Sequence, residues 1–371
     1  MTQRYQRHSL IDWFDQARLH EAHVIVIGAG AVGNEVLKNL SLLGVGTIHV
    51  FDFDRIEEHN LTRCVLFRDG DVGRFKAEVA AEACRQIDPN IVVCPSILDF
   101  WDALTLDRIA SSDAVICCVD NFEARIQLNR LCLMVGTDFV SIGIDSRYLS
   151  VEAFPFSTNP DCACYECTLP PSAYIMMQKR YSCGWLRKIA YKERRVPTTA
   201  VTSSIAGAVG VSLVLNRLCG HPQGICTAIR HFHDTITLET ALSVPQRCGD
   251  CPTCGSIDPH AFRMLASRNC GNTSVIPLGT DVGGVVLLSE PILISGTCKL
   301  CGRVQEYYES VRRLTEAVTI CSNCKEQSVR TEFVERLNAA DFRRLFADRR
   351  LPVKYFSYIT DDRQFIIELE D

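Results

Sequence analysis

Two stretches near the N-terminus have the residue types of a nucleotide-binding site. The β-branched run 24–27 precedes Gly28-Ala29-Gly30-Ala31-Val32-Gly33. Glycines let the backbone turn tightly beside a phosphate, and the N-terminus of a following helix directs free N–H groups toward negative charge. A second apolar run, residues 47–51, ends at Asp52, whose carboxylate can accept hydrogen bonds from ribose hydroxyls. This order predicts a nucleotide-binding βαβ unit, a pattern that NAD and FAD enzymes share.

Eight of the twenty cysteines form four CxxC pairs. This spacing lets two thiolates bind one ion, and two pairs complete a closed tetrahedral Zn²⁺ site. The pairs are Cys164/Cys167, Cys251/Cys254, Cys298/Cys301 and Cys321/Cys324. We expect the first two pairs to form one structural zinc site, although Cys162 and Cys248 lie close enough in sequence to leave its ligands open. The last two pairs predict a zinc ribbon near the C-terminus.

Cys183 differs from these cysteines because it is unpaired. It follows the first zinc pair and precedes Gly184 and a basic run at residues 187–195. Cationic surroundings lower the pKa of a thiol and favour the nucleophilic thiolate. Cys183 is therefore the candidate nucleophile, with an incidental thiol as the alternative.

The elements that must position these residues predict an α/β fold, a doubly wound and mostly parallel Rossmann-like sheet. Residues 114–119 are fully apolar, as in a strand buried on both faces, and end at Asp120-Asn121, where ligands bind in such sheets. Residues 148–156 alternate, which favours antiparallel pairing, and residues 4–22 and 199–218 are expected to be helical. We predict one domain over residues 1–255, with an irregular segment at 168–197, and a small domain with the second zinc site over 256–371.

The composition excludes several classes of protein. The 371 residues are 47% hydrophobic and 22% charged, as in soluble globular proteins. The net charge of −5 gives no indication of nucleic-acid binding. We expect no membrane association, because polar residues interrupt the apolar run 200–218, and a cytoplasmic location, because many cysteines without a secretion signal suit metal ligation better than disulfides.

Further motifs separate the nucleotide-binding classes. Asn60-Leu61-Thr62-Arg63 follows the βαβ unit, then Lys76, then Cys-Val-Asp-Asn-Phe-Glu-Ala-Arg at 118–125, while Arg4-Tyr5-Gln6-Arg7-His8 opens the chain. Together with the cysteine pairs, these motifs resemble the ubiquitin-activating superfamily, which includes the activators of the sulfur carriers of thiamin and molybdopterin synthesis. The resemblance covers residues 4–255. The layout is most similar to the single-domain activator of the ubiquitin-fold modifier and to activators of bacterial ubiquitin-like conjugation systems.

The resemblance implies that a carboxylate attacks the α-phosphate of ATP, giving an acyl-adenylate and pyrophosphate, with Mg²⁺ bound. It assigns a role to each of several charged residues. Asp52 binds ribose, Asn60 and Arg63 hold phosphate, Lys76 neutralises the leaving pyrophosphate, and Asp120 coordinates magnesium. Gly28, Gly30, Ala31, Gly33, Asp54 and Asn121 complete the predicted nucleotide site. Asp54 taken alone would only cap a turn, and Arg125 is interpreted as a structural salt bridge.

The resemblance also implies partners. In the family the N-terminal segment crosses to a second subunit, where its arginine reaches the nucleotide, so Arg7 and a homodimer are expected. The order Cys167, Cys183 and Pro197-Thr198-Thr199 matches that of activators with a thioester cysteine. The implied substrate is a β-grasp, ubiquitin-like protein with a flexible C-terminus, passed from Cys183 to a ubiquitin-conjugating-type enzyme. The domain beyond residue 255 would recruit one of these partners.

Three alternatives remain at this point. Activation of a sulfur carrier shares the adenylation step but ends in a thiocarboxylate. A nicotinamide oxidoreductase shares the glycine turn but has no use for Arg63 and Lys76 directed at a triphosphate. A non-catalytic scaffold would keep the fold and lose charged site residues, none of which is missing here.

Overall fold

The computed structural model describes residues 3–173, 197–221, 224–267, 284–346, 349 and 351–370. The described residues divide into two compact units, one made of residues 3–173 and 197–259 and the other of the described residues from His260 onward. The segment that contains Cys183 and the basic run 187–195 lies outside the described residues.

The first unit is built on an eight-stranded sheet with strand order β3-β2-β1-β4-β5-β6-β7-β8. The strands are β1 His23–Ile27, β2 Thr47–Phe51, β3 Val92–Ser96, β4 Ala114–Cys117, β5 Asp138–Ile144, β6 Tyr148–Phe154, β7 Ile229–Asp234 and β8 Thr240–Ser243. Strands β1 to β5 pair in parallel, and β6, β7 and β8 continue the sheet in antiparallel register. The mostly parallel, doubly wound sheet predicted from the sequence is confirmed.

Seven α-helices that are described from end to end belong to this unit. They are α1 Gln16–Glu21, α2 Ala31–Leu43, α3 Lys76–Ile87, α4 Phe100–Ala103, α5 Leu106–Ala110, α6 Phe122–Val135 and α7 Ala200–Leu218. Helices α2 and α6 both end at a glycine in the left-handed conformation, Gly44 and Gly136. Because each helix runs back along the strand before it, the helices of the parallel strands begin at the carboxyl ends of the strands and finish at their amino ends.

Helix α7 is the one described helix whose length and hydropathy would suffice to cross a membrane. In this structure it packs against α2 and the sheet. A Cβ added at Gly207 would lie 2.6 Å from the Cβ of Glu35, and one at Gly210 would lie 2.4 Å from the Ile142 side chain. The small residues of α7 are therefore required by close packing inside the first unit, as the composition of residues 199–218 predicted.

One local prediction was only partly right and another was wrong. Residues 4–22 form two short 3₁₀ turns, Gln3–Tyr5 and His8–Leu10, before α1, because the side chains of this segment bond to the rest of the unit instead of to a continuous helix. Arg125 forms no salt bridge among the described residues. Its guanidinium is buried and donates to the carbonyls of Val119 and Ile142 and to the Ser141 hydroxyl.

The second unit contains a six-stranded sheet and one α-helix among the described residues. Its elements are β9 Phe262–Ser267, β10 Val285–Cys298, β11 Val304–Ser310, β12 Val329–Asn338, α8 Ala339–Phe346, β13 Tyr355–Ile359 and β14 Gln364–Glu370. The long strand β10 pairs with β11, β12 and β13, and β14 joins β13 to β9. In its core, Phe342 of α8 packs on Phe356 of β13 and on Phe346 of the same helix.

Candidate active site and metal centres

The glycine turn joins β1 to α2 at the carboxyl edge of the sheet. Gly28 has φ +94°, and a Cβ there would lie 3.1 Å from the backbone of Cys118, which follows β4. At Gly33 a Cβ would lie 1.9 Å from the Gly28 carbonyl oxygen. Gly30, the N-cap of α2, faces open space. Two of the three glycines thus permit the close packing of the turn, and the third leaves room before the free N–H groups of α2.

Asn34 fixes this turn, a role that none of the sequence motifs indicates. Its buried amide nitrogen donates to the Ala29 carbonyl at 2.7 Å and to the Gly30 carbonyl at 3.1 Å. Its amide oxygen accepts from the Leu66 backbone N–H at 2.9 Å. Asn34 therefore links the glycine turn to the segment that follows Arg63. The only sequence signal was a polar residue on a helix face that is otherwise buried.

Asp52, Asp54 and Lys76 lie together beyond the end of β2. The Asp52 carboxylate accepts from the backbone N–H of Ala29 at 2.7 Å and of Asp54 at 2.9 Å. Lys76 Nζ donates to the Asp54 carboxylate at 2.7 Å, and its side chain is 12% exposed against 57% for Asp54. A carboxylate has about four acceptor positions, so Asp52 keeps capacity for the two hydroxyls of a ribose.

Burial and neighbouring charges shift the pKa values of Asp52 and Lys76 in opposite directions. Burial raises the pKa of the Asp52 carboxyl, against the opposing effect of the Lys76 charge. For Lys76, burial lowers the pKa, but the carboxylates of Asp52 and Asp54 outweigh it and leave the pKa raised. Lys76 is therefore a fixed, protonated cation, which is what stabilisation of a leaving phosphate group requires.

Asn60 ends the short turn Glu58–Asn60, and Arg63 lies just after this turn. Asn60 is buried, and its side-chain oxygen accepts from the Glu57 backbone N–H at 2.9 Å. The half-buried Arg63 donates to the His59 carbonyl at 2.6 Å. Asn60 therefore shapes the turn that carries Arg63. The guanidinium has five donors, and those not bonded to His59 can bind phosphate oxygens.

Asp120 and Asn121 follow β4 at the same edge. The Asn121 side chain accepts from the Ala124 backbone N–H at 2.8 Å and caps α6, so part of its predicted role is structural. Asp120 is exposed, and a carboxylate open to solvent is the ligand type that Mg²⁺ prefers. Arg125, one turn further on, holds the ends of β4 and β5 together through its three acceptors.

The predicted nucleotide residues thus follow β1, β2 and β4, where the strand order reverses from β3-β2-β1 to β4-β5. This reversal point is where doubly wound sheets bind their ligands. A family model described as the ThiF family matches residues 4–253. The chain belongs to the ThiF family. It is an adenylyltransferase of this E1-like family, which removes the nicotinamide oxidoreductase alternative.

Relatives of this ThiF-family chain carry two kinds of name. It is 31% identical over 259 residues to the SAMP-activating enzyme E1 of Haloferax volcanii, a match covering 68% of this chain and 88% of that one. It is 25% identical over 260 residues to the sulfur carrier protein ThiS adenylyltransferase of Escherichia coli, covering 68% and 94%. A solved structure of E. coli MccB with ATP superposes with a TM-score of 0.57 and 23% identity over 69% of this chain and 74% of that one, which establishes the fold.

The first cysteine quartet of the ThiF-family domain comes together as predicted. Cys164, Cys167, Cys251 and Cys254 place their sulfurs within 4.8 Å of one another. The Sγ–Sγ distances are 3.6 Å from Cys164 to Cys251 and 3.4 Å from Cys167 to Cys254. Tetrahedral zinc with Zn–S bonds of about 2.3 Å requires sulfurs about 3.8 Å apart, so these four thiols fit the ion.

The flanking cysteines are not part of this quartet. Cys162 is buried outside it, and Cys248 contributes its backbone N–H, 3.4 Å from the Cys167 sulfur. Neighbouring side chains fix the loop: Tyr165 packs edge-on against Phe139 and Phe154, and its N–H donates to Asn129 at 2.9 Å. The quartet therefore ties the chain before residue 168 to the chain after β8.

The second quartet lies beyond the residues that the family model matches. The sulfurs of Cys298, Cys301, Cys321 and Cys324 also lie within 4.8 Å of one another, with 3.7 Å from Cys301 to Cys321. The amides of Leu300 and Cys301 donate to the Cys298 sulfur, each at 3.4 Å. A bond to the Ser328 hydroxyl and these amides lower the pKa of Cys298 to about 6, which favours the thiolate that a metal binds.

Arg7 lies away from the nucleotide residues of its own chain. It is exposed and sits in the N-terminal segment, which packs against the C-terminal ends of α2 and α3. Helix α2 has 13 residues and so spans about 20 Å from the glycine turn to this end. Arg7 therefore lies toward the amino edge of the sheet, whereas Lys76 and Asp120 lie at the carboxyl edge.

Proposed function

We propose that this protein adenylates the C-terminal carboxylate of a small ubiquitin-like or sulfur-carrier protein. A carboxylate oxygen attacks the α-phosphorus of ATP, the bond to the β-phosphate bridging oxygen breaks, and pyrophosphate leaves. The observation that carries this proposal is that Asp52 and Lys76 lie beside the glycine turn, and that Asn34 bonds this turn to the segment after Arg63, in a ThiF-family chain. Of the predicted roles, Asp52 takes the ribose, Arg63 and Asn60 the phosphates, and Lys76 the leaving pyrophosphate.

Magnesium fits the carboxyl edge on the chemistry of its donors. Asp120 offers an exposed carboxylate next to the turn, and a bound Mg²⁺ would neutralise charge on the phosphate oxygens. The chain's own contribution is to hold Lys76 and Arg63 in fixed positions beforehand, through the carboxylates beside Lys76 and the His59 carbonyl beside Arg63.

We further propose thioester transfer through Cys183. In this step the Cys183 thiolate attacks the adenylated carbonyl carbon, the bond to the AMP oxygen breaks, and AMP leaves. The supporting observations are the order of residues around Cys183 and the basic run after it. The 31% identical relative is named a SAMP-activating enzyme E1, which is compatible with the activation of a ubiquitin-like modifier. A ubiquitin-conjugating-type enzyme would then accept the thioester.

Sulfur-carrier activation is the second candidate. It is favoured by the likeness to the ThiS adenylyltransferase, which extends over 94% of that relative. The two candidates share adenylation and differ in the fate of the adenylate, since a thiocarboxylate needs no thioester passed to a conjugating enzyme.

A homodimer is also part of the proposal. Arg7 lies about one helix length from the carboxyl edge of its own sheet, so it can act on a nucleotide only in a second copy. There its guanidinium would stabilise charge on the phosphates.

The first experiment compares the native chain, Cys183→Ala and Cys226→Ala. Each is incubated with ATP, magnesium and candidate modifiers, and analysed by pyrophosphate exchange and by non-reducing gel. Cys226 is exposed and lies outside both quartets, so it is the matched control. We expect modifier-dependent exchange in all three and a thiol-sensitive adduct in all but Cys183→Ala.

Each failure has a separate meaning. Exchange without an adduct in the native chain would favour sulfur-carrier activation. An adduct that persists in Cys183→Ala would exclude Cys183 as the nucleophile. A native chain that exchanges no pyrophosphate with any candidate would contradict adenylation itself.

A further inference from the structure

The N-terminal segment is fixed to the first unit by Tyr5. The ring is 7% exposed, and its hydroxyl donates to the carboxylate of Asp88, the C-cap of α3. The Asp88 side chain is fully buried. Arg4 adds a bond of 2.7 Å to the Ile87 carbonyl. Breaking this bond would leave the buried Tyr5 hydroxyl without its acceptor, while Asp88 would keep its bonds from Asn90, so the bond holds Tyr5 in place.

Gly44 provides the space for the Tyr5 ring. It ends α2 with φ +74°, and a Cβ there would lie 2.3 Å from the Tyr5 hydroxyl oxygen. The ring therefore fills the volume that the absent side chain leaves, between the ends of α2 and α3. Any larger residue at this position would displace Tyr5 and would also be strained in the left-handed conformation.

A second anchor lies on the other side of Arg7. The His8 ring nitrogen Nδ1 lies 2.7 Å from the Gln16 side-chain oxygen, and Gln16 donates to the Leu43 carbonyl at 2.9 Å. The His8 ring also stacks on Tyr5, with centroids 5.6 Å apart. Arg7 thus lies between two fixed residues, while its own side chain is exposed to solvent.

We propose that Tyr5 is a positioning residue that presents Arg7 to the nucleotide site of a second copy of this chain. Asp88 accepts the hydrogen bond from Tyr5, and Gly44 leaves the space for its ring. The inference rests on the proposed function and adds to it. The backbone around Arg7 is ordered within its own subunit before the second copy or the nucleotide binds. Binding therefore does not have to compensate for this loss of conformational entropy. Tyr5 touches no reacting atom in this arrangement.

Mixed dimers test this assignment. Two differently tagged full-length chains are co-expressed, one carrying Arg7→Ala and the other Lys76→Ala, and the heterodimer is purified through both tags. One working site remains: it uses Lys76 of the first chain and Arg7 of the second. Tyr5→Phe is then added to either chain, which removes one hydroxyl and keeps the ring.

The expected result depends on which chain carries the change. On the chain that donates Arg7, Tyr5→Phe should lower the maximal rate of pyrophosphate exchange by roughly 10- to 100-fold, with an unchanged KM for the modifier, since small misplacements of a catalytic group have effects of this size. On the chain that provides Lys76, it should have no effect. Equal effects in both placements, or none in either, would overturn the proposal, as would a monomeric enzyme with full activity.

Hydrogen exchange of the native chain and of Tyr5→Phe distinguishes a failure of the role of Tyr5 from a failure of the proposed function. It needs no modifier, and we expect faster exchange of the Leu10 and Ile11 amides, which bond to the Arg7 and His8 carbonyls. Unchanged protection there would overturn the role of Tyr5 even in an active enzyme. Faster exchange of these amides in a chain without any pyrophosphate exchange would instead leave Tyr5 as an anchor and contradict the proposed function.

Discussion

The two edges of the first unit's sheet use charged residues in different ways. At the carboxyl edge Lys76 bonds to Asp54, a carboxylate that is 57% exposed, and Asp120 is open to solvent. At the amino edge Asp88 is fully buried against Tyr5, and Asp138 is 10% exposed and paired with Arg217 at 2.9 Å. Charges left accessible can still bind a ligand, whereas charges already enclosed by partners stabilise the fold.

The first cysteine quartet lies at the amino edge of the sheet. Strand β6 runs antiparallel to β5 and so ends among the amino ends of the parallel strands, and the quartet follows it. A closed set of four thiolates has no position for substrate. Substitutions of zinc ligands and enclosed charges at this edge should therefore change stability, and those at the carboxyl edge should change the activity of their own subunit. Tyr5 affects activity only through Arg7 and the second copy.

The largest effect is expected for Cys164→Ser. The native chain should contain two equivalents of zinc, and the variant one. Its free energy of unfolding should fall by at least about 5 kcal/mol, because structural zinc contributes roughly 10–16 kcal/mol in small zinc-binding peptides. Metal analysis and denaturant unfolding measure both quantities, with Cys226→Ser as the control. A variant that keeps two zinc ions and the native unfolding midpoint would show that the quartet does not stabilise the amino edge.

At the carboxyl edge, Lys76→Ala should lower activity and leave stability almost unchanged. We expect the rate of pyrophosphate exchange to fall about 100- to 1000-fold, because a fixed charge that stabilises the leaving group is lost. The free energy of unfolding should change by less than about 1 kcal/mol, as for other ion pairs with an exposed partner.

Arg74→Ala is the matched control for Lys76→Ala. Arg74 precedes the same helix and pairs with Asp71 and Glu82 on the surface. Its loss should leave both exchange and stability near native values. If Lys76→Ala unfolds the protein while retaining its exchange rate per folded molecule, the distinction between the two edges fails.

The features that depend on neighbouring residues are predictable from the sequence. The glycine turn, the apolar strands and the CxxC pairs each occupy a few consecutive positions, so their spacing alone predicts them. The bond from Leu66 to Asn34 spans 32 residues, and that from Tyr5 to Asp88 spans 83. Asn34 and Tyr5 are not unusual residue types at their positions, so only the packing of distant segments reveals these two hydrogen bonds. The helix predicted for residues 4–22 forms only over Gln16–Glu21 for the same reason, since tertiary bonds outweigh local helix preference in the residues before it.

Arg125 is an exception at the carboxyl edge, because it is buried. Arg125→Met would leave the carbonyls of Val119 and Ile142 and the Ser141 hydroxyl without their donor. We expect the free energy of unfolding to fall by about 2–4 kcal/mol, since each unsatisfied buried group costs roughly 1–3 kcal/mol and part of the loss is recovered by relaxation. Urea unfolding measures this, with the exposed Arg108→Met as control. A loss of exchange activity at native stability would assign Arg125 to the site instead.

The smallest effect concerns the pH dependence of the Tyr5–Asp88 pair. Burial and the bond to Asp88 raise the pKa of Tyr5 above its usual value of 10.0. Burial also acts to raise the pKa of Asp88, but its bonds to Tyr5 and Asn90 outweigh this and lower it below 3.8. A raised tyrosine pKa gives stability that is complete below pH 10 and lost as the pH rises further. A lowered carboxyl pKa gives stability that is present above 3.8 and lost in stronger acid.

The native chain should therefore be more stable than Tyr5→Phe by about 1 kcal/mol between these limits, the usual contribution of one hydrogen bond. The difference should shrink above pH 10, because only the native chain has this hydroxyl to ionise. Urea unfolding of both chains from pH 5 to 11 measures it. A difference that stays constant to pH 11 would mean that the Tyr5 hydroxyl does not contribute through its bond to Asp88, and the amino edge would then hold the N-terminal segment by packing alone.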